Sequence, residues 1–138
     1  MRSDRGSVTI WLALASFVMV VLVGVAVDLS GQVYASQHAH DVASQAARVA
    51  GQQLDAGQAM KGGANQVNTA AAVAAARTYI SSAGMEGEVV VTGGGAVLAV
   101  TTTSTYETKF LSIIGLNALR VTGTSQARIV RAVNGTER

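Results

Sequence analysis

The chain has 138 residues, room for one small domain beside a membrane segment; 49% of them are hydrophobic, 13% charged and 4% aromatic. A net charge of +2 is too small to argue for nucleic acid, and the absence of cysteine rules out disulfides and thiolate metal sites. Proline is absent too, so neither proline-kinked helices nor proline turns are available.

From Gly6 to Val27 no side chain is charged, and Arg2 and Arg5 stand immediately before this run. About twenty apolar residues at 1.5 Å rise cover a hydrocarbon core of about 30 Å. Between Val8 and Val27 twelve residues are Val, Leu, Ile or Phe. At the per-residue transfer values of such side chains, insertion gains on the order of 5 kcal/mol. The next Lys or Arg after Arg5 is Arg48, so the positive-inside bias places the N-terminus in the cytoplasm and the rest outside, in a single-pass cell-membrane topology. An ordinary secretory signal fits poorly. Ala13-Leu14-Ala15 lies inside the apolar run, and Val25-Ala26-Val27 is bulky where a cleavage site needs small residues. Asp28 ends the run and is read as the membrane-exit residue, with pairing to a neighbouring subunit's cation as the alternative.

The helix is expected to continue beyond the lipid, from about Ser7 to about Leu54, a rod roughly 70 Å long. Alanine, the best helix former, dominates the outer part. Ala35, Ala39, Ala43, Ala46 and Ala50 recur at helical spacing, and Gly24 and Gly31 continue that face toward the membrane. Small side chains let helix backbones approach closely. Gly24, Gly31, Ala35, Ala39, Ala43 and Ala46 are therefore a candidate helix-packing stripe, covered either by partner subunits or by this chain's own second helix.

A glycine-rich connection from Gly57 to Gln66 leads to a second helix capped near Asn68 and closed by Gly84. Two Val- and Thr-rich runs, Glu88 to Thr92 and Ala96 to Ser104, flank Gly93-Gly94-Gly95 and read as a β-hairpin. A short helix is expected from about Tyr106 to Ile114, with Phe110, Ile113 and Ile114 on one side and Gly115 closing it. From Leu119 to Val130 apolar and polar residues alternate, the period of a half-buried strand, and the tail from Asn134 to Arg138 is read as frayed. The expected fold class is α+β: a long N-terminal transmembrane helix extended outside the membrane, a second helix and a small three-stranded antiparallel sheet. Residues 1–6 form a cytoplasmic basic leader, 7–28 the transmembrane helix, 29–56 its extracytoplasmic extension and 57–138 a small α+β domain.

The first fifty or so residues resemble the N-terminal module of TadE/TadG-like proteins of the Tad (Flp) pilus assembly systems of bacteria. The elements that carry the resemblance are Arg5-Gly6-Ser7, the apolar helix, Val27-Asp28-Leu29 and the Ala-rich stretch from Ala43 to Gly51. The resemblance implies a type IV pilin-like fold, helix packing with other pilin-like subunits or Tad assembly proteins, and a candidate leader-peptidase site between Gly6 and Ser7. The chain departs from the pilin pattern in two places. Trp11 stands where the fifth mature residue is usually Glu, and the first turns of the anchor lack proline. The missing Glu weighs against processing and filament entry.

Little else in the sequence points to chemistry. His38 and His40, at i and i+2, project from different sides of a helix and are read as solvated rather than as metal ligands. The glycine triplet lacks a following Lys-Ser/Thr and sits between strands, so it is a turn and not a phosphate loop. No base is placed to activate the threonines from Thr101 to Thr105. Asn134-Gly135-Thr136 matches a glycosylation acceptor in form only. The expectation is a non-enzymatic protein with no cofactor, metal, nucleic acid or small-molecule substrate. It is held in membrane lipid and acts as a minor pilin or assembly factor; the alternative is a membrane-tethered binding or sensing domain outside any filament.

Overall fold

A computed structural model of the protein describes residues 5–60, 65–93, 97–128, 132–133 and 136–137. Helix α1 spans Arg5–Met60 and α2 spans Asn65–Ser82. Strands β1 (Glu86–Thr92), β2 (Val97–Glu107) and β3 (Ala118–Arg128) form an antiparallel sheet in the order β1-β2-β3. Two further short strands, β4 (Ala132–Val133) and β5 (Thr136–Glu137), pair with each other. This is the expected α+β arrangement of a long apolar helix, a second helix and a three-stranded antiparallel sheet.

Helix α1 runs past Leu54 to Met60, since Gly51 and Gly57 are too weak as breakers to stop an Ala- and Gln-rich segment. Residues 61–64, the middle of the expected connection, lie outside the described residues. Helix α2 begins at Asn65, so Asn68 is not its cap. Its end follows the sequence reading: Gly84 takes φ 70°, its N–H donates to the Ser81 carbonyl and the Met85 N–H donates to the Ile80 carbonyl. This is a Schellman stop, which needs a left-handed residue that glycine supplies without a Cβ penalty.

The hairpin pairs Thr92 with Val97 and Glu86 with Thr103, so β1 starts earlier than its Val- and Thr-rich run suggests. Gly94, Gly95 and Ala96 lie outside the described residues. The β2–β3 pairing runs from Val97 with Arg128 to Glu107 with Ala118. Tyr106 and Glu107 thus belong to the strand, and the expected short helix shrinks to one 3-10 turn, Leu111–Ile114, closed by Gly115 at φ 91°. Ile129 and Val130, the end of the expected last strand, lie outside the described residues. So does Asn134, while Thr136 and Glu137 of the tail are paired rather than frayed.

The core lies where α1, α2 and the inner face of the sheet meet. Ala43, Ala46, Ala47 and Ala50 of α1 meet Ala72, Ala76 and Ile80 of α2, and Val89, Leu98 and Val100 of the sheet. Alternation decides which strand residues point in. Leu98, Val100 and Thr102 of β2 are buried, as are Val121 and Gly123 of β3, while Arg120, Thr122, Thr124 and Gln126 face out. The core is built largely of alanine and valine, so its stability depends on closely approaching backbones more than on large side chains.

Candidate functional site

Helix α1 has two kinds of environment along its length. From Val8 to Val23 nearly all of its side chains are uncovered: Ile10, Trp11, Leu14, Phe17, Val20 and Leu22 are all exposed. This segment belongs to the one described helix long and apolar enough to cross a membrane. Gly6 and Ser7 lie exposed at its start. From Gly24 onward one face becomes covered, at Gly24, Asp28, Ala39, Ala43, Ala46 and Ala50, with Gly31 and Ala35 half-buried between them. The intervals are three or four residues, so this is one continuous stripe along the helix.

The stripe coincides with the small residues expected to pack, and the structure shows what they pack on. An added Cβ at Gly24 would stand 2.9 Å from Phe110 Cβ. At Gly31 it would overlap the Tyr106 ring. Ala39 lies directly under Gly123, where an added Cβ would run into the Ala39 and His40 backbone. Ala43 and Ala46 are inside the core. Of the two occupants the sequence left open, partner subunits or this chain's own second helix, the fold supplies its own: the sheet, the β2–β3 connection and α2 lie on the stripe. The sequence could not separate these outcomes, because a small-residue face suits any close neighbour.

Thr102 fastens the sheet to the helix. Its hydroxyl donates to the Ala39 carbonyl at 2.7 Å, inside the interface. Thr102→Val keeps the shape and removes the donor. The helix carbonyl retains its place in the backbone ladder, so the expected cost is only about 1 kcal/mol, read as a lower thermal midpoint in detergent micelles.

Asp28 is the main finding at the membrane end. Its side chain is fully buried, with 0% of its surface exposed. Its Oδ1 accepts the Lys109 backbone N–H at 2.8 Å; its Oδ2 accepts those of Phe110 at 2.8 Å and Leu111 at 2.7 Å. The Tyr106 hydroxyl is a more distant donor to Oδ1 at 3.5 Å. These successive N–H groups open the Leu111–Ile114 turn, whose own N-cap residue, Phe110, makes no side-chain cap. A carboxylate from a distant part of the chain thus does the work of an N-cap. Burial first, then the Asp28 charge and hydrogen bond, push the Tyr106 phenol above the ordinary tyrosine range. Sequence reasoning missed this role: Asp28 was read as the membrane-exit residue, and the donors it meets are backbone N–H groups, which carry no residue-type signal.

The connection from Thr108 to Asn117 is closed at its base by the Thr108 N–H, which donates to the Asn117 carbonyl at 3.1 Å, and by the Thr108 hydroxyl, which donates to the Leu116 carbonyl. Its apolar side chains do not join the core. Phe110 is 43% exposed, Ile113 82%, Ile114 72% and Leu116 48%. His38 and His40 are both exposed, and among the described residues no group of three or more His, Asp or Glu is placed to hold a metal ion. An open cleft between α1 and β3 is lined by Ser44, Arg48, Gln52, Gln126 and Arg128.

Comparison with known proteins bears on the same helix. Residues 6–48 match the family model described as TadE-like protein, the family that the N-terminal sequence resembles. The match takes in the exposed apolar segment, Asp28 and the stripe as far as Arg48, and covers less than half of the chain's 138 residues. No curated protein and no solved structure was found to match.

Proposed function

We propose that this protein is a single-pass, membrane-anchored, pilin-like component of a Tad/Flp-type pilus or related secretion system, serving as a minor pilin or assembly factor. The observation that carries this reading is the TadE-like match over residues 6–48, laid on a helix whose first half is apolar and exposed and whose second half holds a folded domain. Positive-inside bias orients it with the basic leader in the cytoplasm and the domain outside. Its partners are other pilin-like or assembly proteins. With the stripe from Gly24 to Ala46 covered internally, the surface left for a neighbouring helix is the anchor itself, from Val8 to Val23. Packing there depends on shape and van der Waals contact, since lipid is as apolar as the side chains.

The test is photo-crosslinking from Leu14 and Phe17 in cells that carry the pilus genes, with adducts identified by mass spectrometry. The expected result is a covalent adduct with a pilin-like or pilus-platform protein, together with loss of pili when the gene is deleted. Lipid-only adducts with normal pili in the deletion strain overturn the reading. Intact mass of the same material tells whether the chain begins at Ser7 or keeps its leader. The alternative, a tethered binding domain, has the Arg48–Arg128 cleft as its candidate surface and predicts piliation independent of the gene.

A further inference from the structure

We propose that the exposed apolar tip of the β2–β3 connection, Phe110, Ile113, Ile114 and Leu116, is a second membrane contact that inserts into the lipid beside the anchor helix. The inference rests on the membrane-anchored reading above and adds a surface to it.

Depth is the first argument. A hydrocarbon core of about 30 Å takes about twenty helical residues. Counted from Ser7, behind the charged Arg5, that length ends near Val27. Phe110 lies on Gly24, about one turn before that boundary. The tip is therefore held at the level where the anchor is still in lipid, and its apolar surface continues that of the helix.

Composition is the second. Ile113 and Ile114 are among the most exposed large apolar side chains of the chain, although the same loop buries Thr108. A water-facing loop would carry polar residues here. Lys109 and Arg120, both exposed, flank the tip in the sequence, as cations do where a structure meets lipid headgroups.

Satisfaction of polar groups is the third. A loop entering lipid must not carry free backbone donors. The N–H groups of Lys109, Phe110 and Leu111 go to Asp28, those of Ile113 and Gly115 to the Phe110 and Ser112 carbonyls, and that of Leu116 to the Leu111 carbonyl. Asp28 thus supplies acceptors for three of the loop's backbone donors at this depth. In the same way Val27, Leu29, Val33 and Tyr34 extend the exposed apolar surface of α1 past the charge. The anchor and the tip together form a two-pronged base that fixes the tilt of the domain against the bilayer.

The chain has no cysteine, so single-cysteine labelling needs no background removal. Full-length protein carrying Leu14→Cys, Ile113→Cys, Leu116→Cys or Thr92→Cys is labelled with an environment-sensitive fluorophore. It is reconstituted alone in phosphatidylethanolamine/phosphatidylglycerol vesicles. Lipids brominated near the headgroup end of the acyl chain quench shallow labels, those brominated lower down quench deep ones, and iodide quenches labels in water. Labels at Ile113 and Leu116 are expected to lose about half their emission to the shallow bromolipid and little to iodide, the depth of an interfacial segment. Thr92, exposed at the opposite end of the sheet, is expected to respond to iodide alone.

Quenching of the Ile113 label by iodide overturns the proposal. So does a label that neither quencher reaches, which would mean that a second copy covers the tip. Leu14 separates the two levels of failure. If it is lipid-quenched and Ile113 is not, the second contact is wrong and the anchor stands; if Leu14 is reached by iodide, the anchor reading fails and the proposal with it.

Discussion

Gly123→Val is expected to detach the sheet from the long helix while leaving the anchor in the membrane. At this place β3 crosses α1 with no side chain between them. Any Cβ on residue 123 falls on the carbonyl carbon and oxygen of Ala39 and the nitrogen of His40, all backbone atoms of a continuous helix that cannot turn aside. Strand and helix must separate, and the separation carries Thr102 away from the Ala39 carbonyl and opens the contact around Val121. Overpacking against immovable backbone stands at the severe end of single substitutions, and a loss on the order of 3–5 kcal/mol is expected. Limited proteolysis of the protein in vesicles reads it directly: cleavage within β2 and β3 rises steeply, while fragments retaining the anchor stay with the membrane. Thr124→Val on the exposed face of the same strand is the control and leaves the pattern unchanged. A Gly123→Val protein as resistant as its parent would show that the sheet does not sit on the helix at this point.

The helices and strands were legible because their signals are local. Alanine content and the absence of strong breakers specify α1, the left-handed glycine at Gly84 ends α2, and β-branched alternation marks the three strands. The stripe from Gly24 to Ala50 was legible as a packing face for the same reason. Its occupant was not. Gly24 meets Phe110, Gly31 meets Tyr106 and Ala39 meets Gly123, contacts between residues far apart in the chain. Periodicity on one element carries no information about which element lies on it. The glycine in β3 was the sharper clue, since glycine inside a strand often marks close approach of another backbone.

Asp28 shows the other limit of sequence reading. A lone carboxylate at the end of an apolar run has a sufficient explanation in the boundary itself, where charge is hydrated and marks the exit from lipid. What that reading does not supply is the set of backbone donors from the β2–β3 connection, and backbone donors have no residue type to betray them. The same distance separates the two uses of Phe110, Ile113 and Ile114. As a sequence pattern they are one side of a short helix. In the fold they are exposed on the β2–β3 connection, with Phe110 beside Gly24 of the apolar helix.

Asp28→Asn is expected to release the tip without unfolding the domain. The carboxylate uses both oxygens, Oδ1 for Lys109 and Oδ2 for Phe110 and Leu111. Asparagine offers one acceptor oxygen, and its amide end turns hydrogens toward backbone hydrogens. In either orientation at least one N–H loses its acceptor and meets a donor instead, in a place with no exposed surface for water to reach Asp28. Amide exchange at Lys109, Phe110 and Leu111 should quicken by about tenfold or more, while Val100 in the core keeps its protection. The tyrosine supplies a second, independent readout. The raised phenol value means that the fold prefers neutral Tyr106; its contribution to stability is present below the ordinary tyrosine value and disappears as pH rises through the raised one. In Asp28→Asn the charge that helps hold that value up is gone, so the ultraviolet titration of Tyr106 should move down toward the ordinary range and the alkaline loss of stability linked to it should shrink. Asp28→Glu keeps the charge but adds a methylene to a side chain already in contact on both oxygens. It should restore much of the Tyr106 shift and little of the amide protection, a split that a purely electrostatic role for Asp28 does not allow.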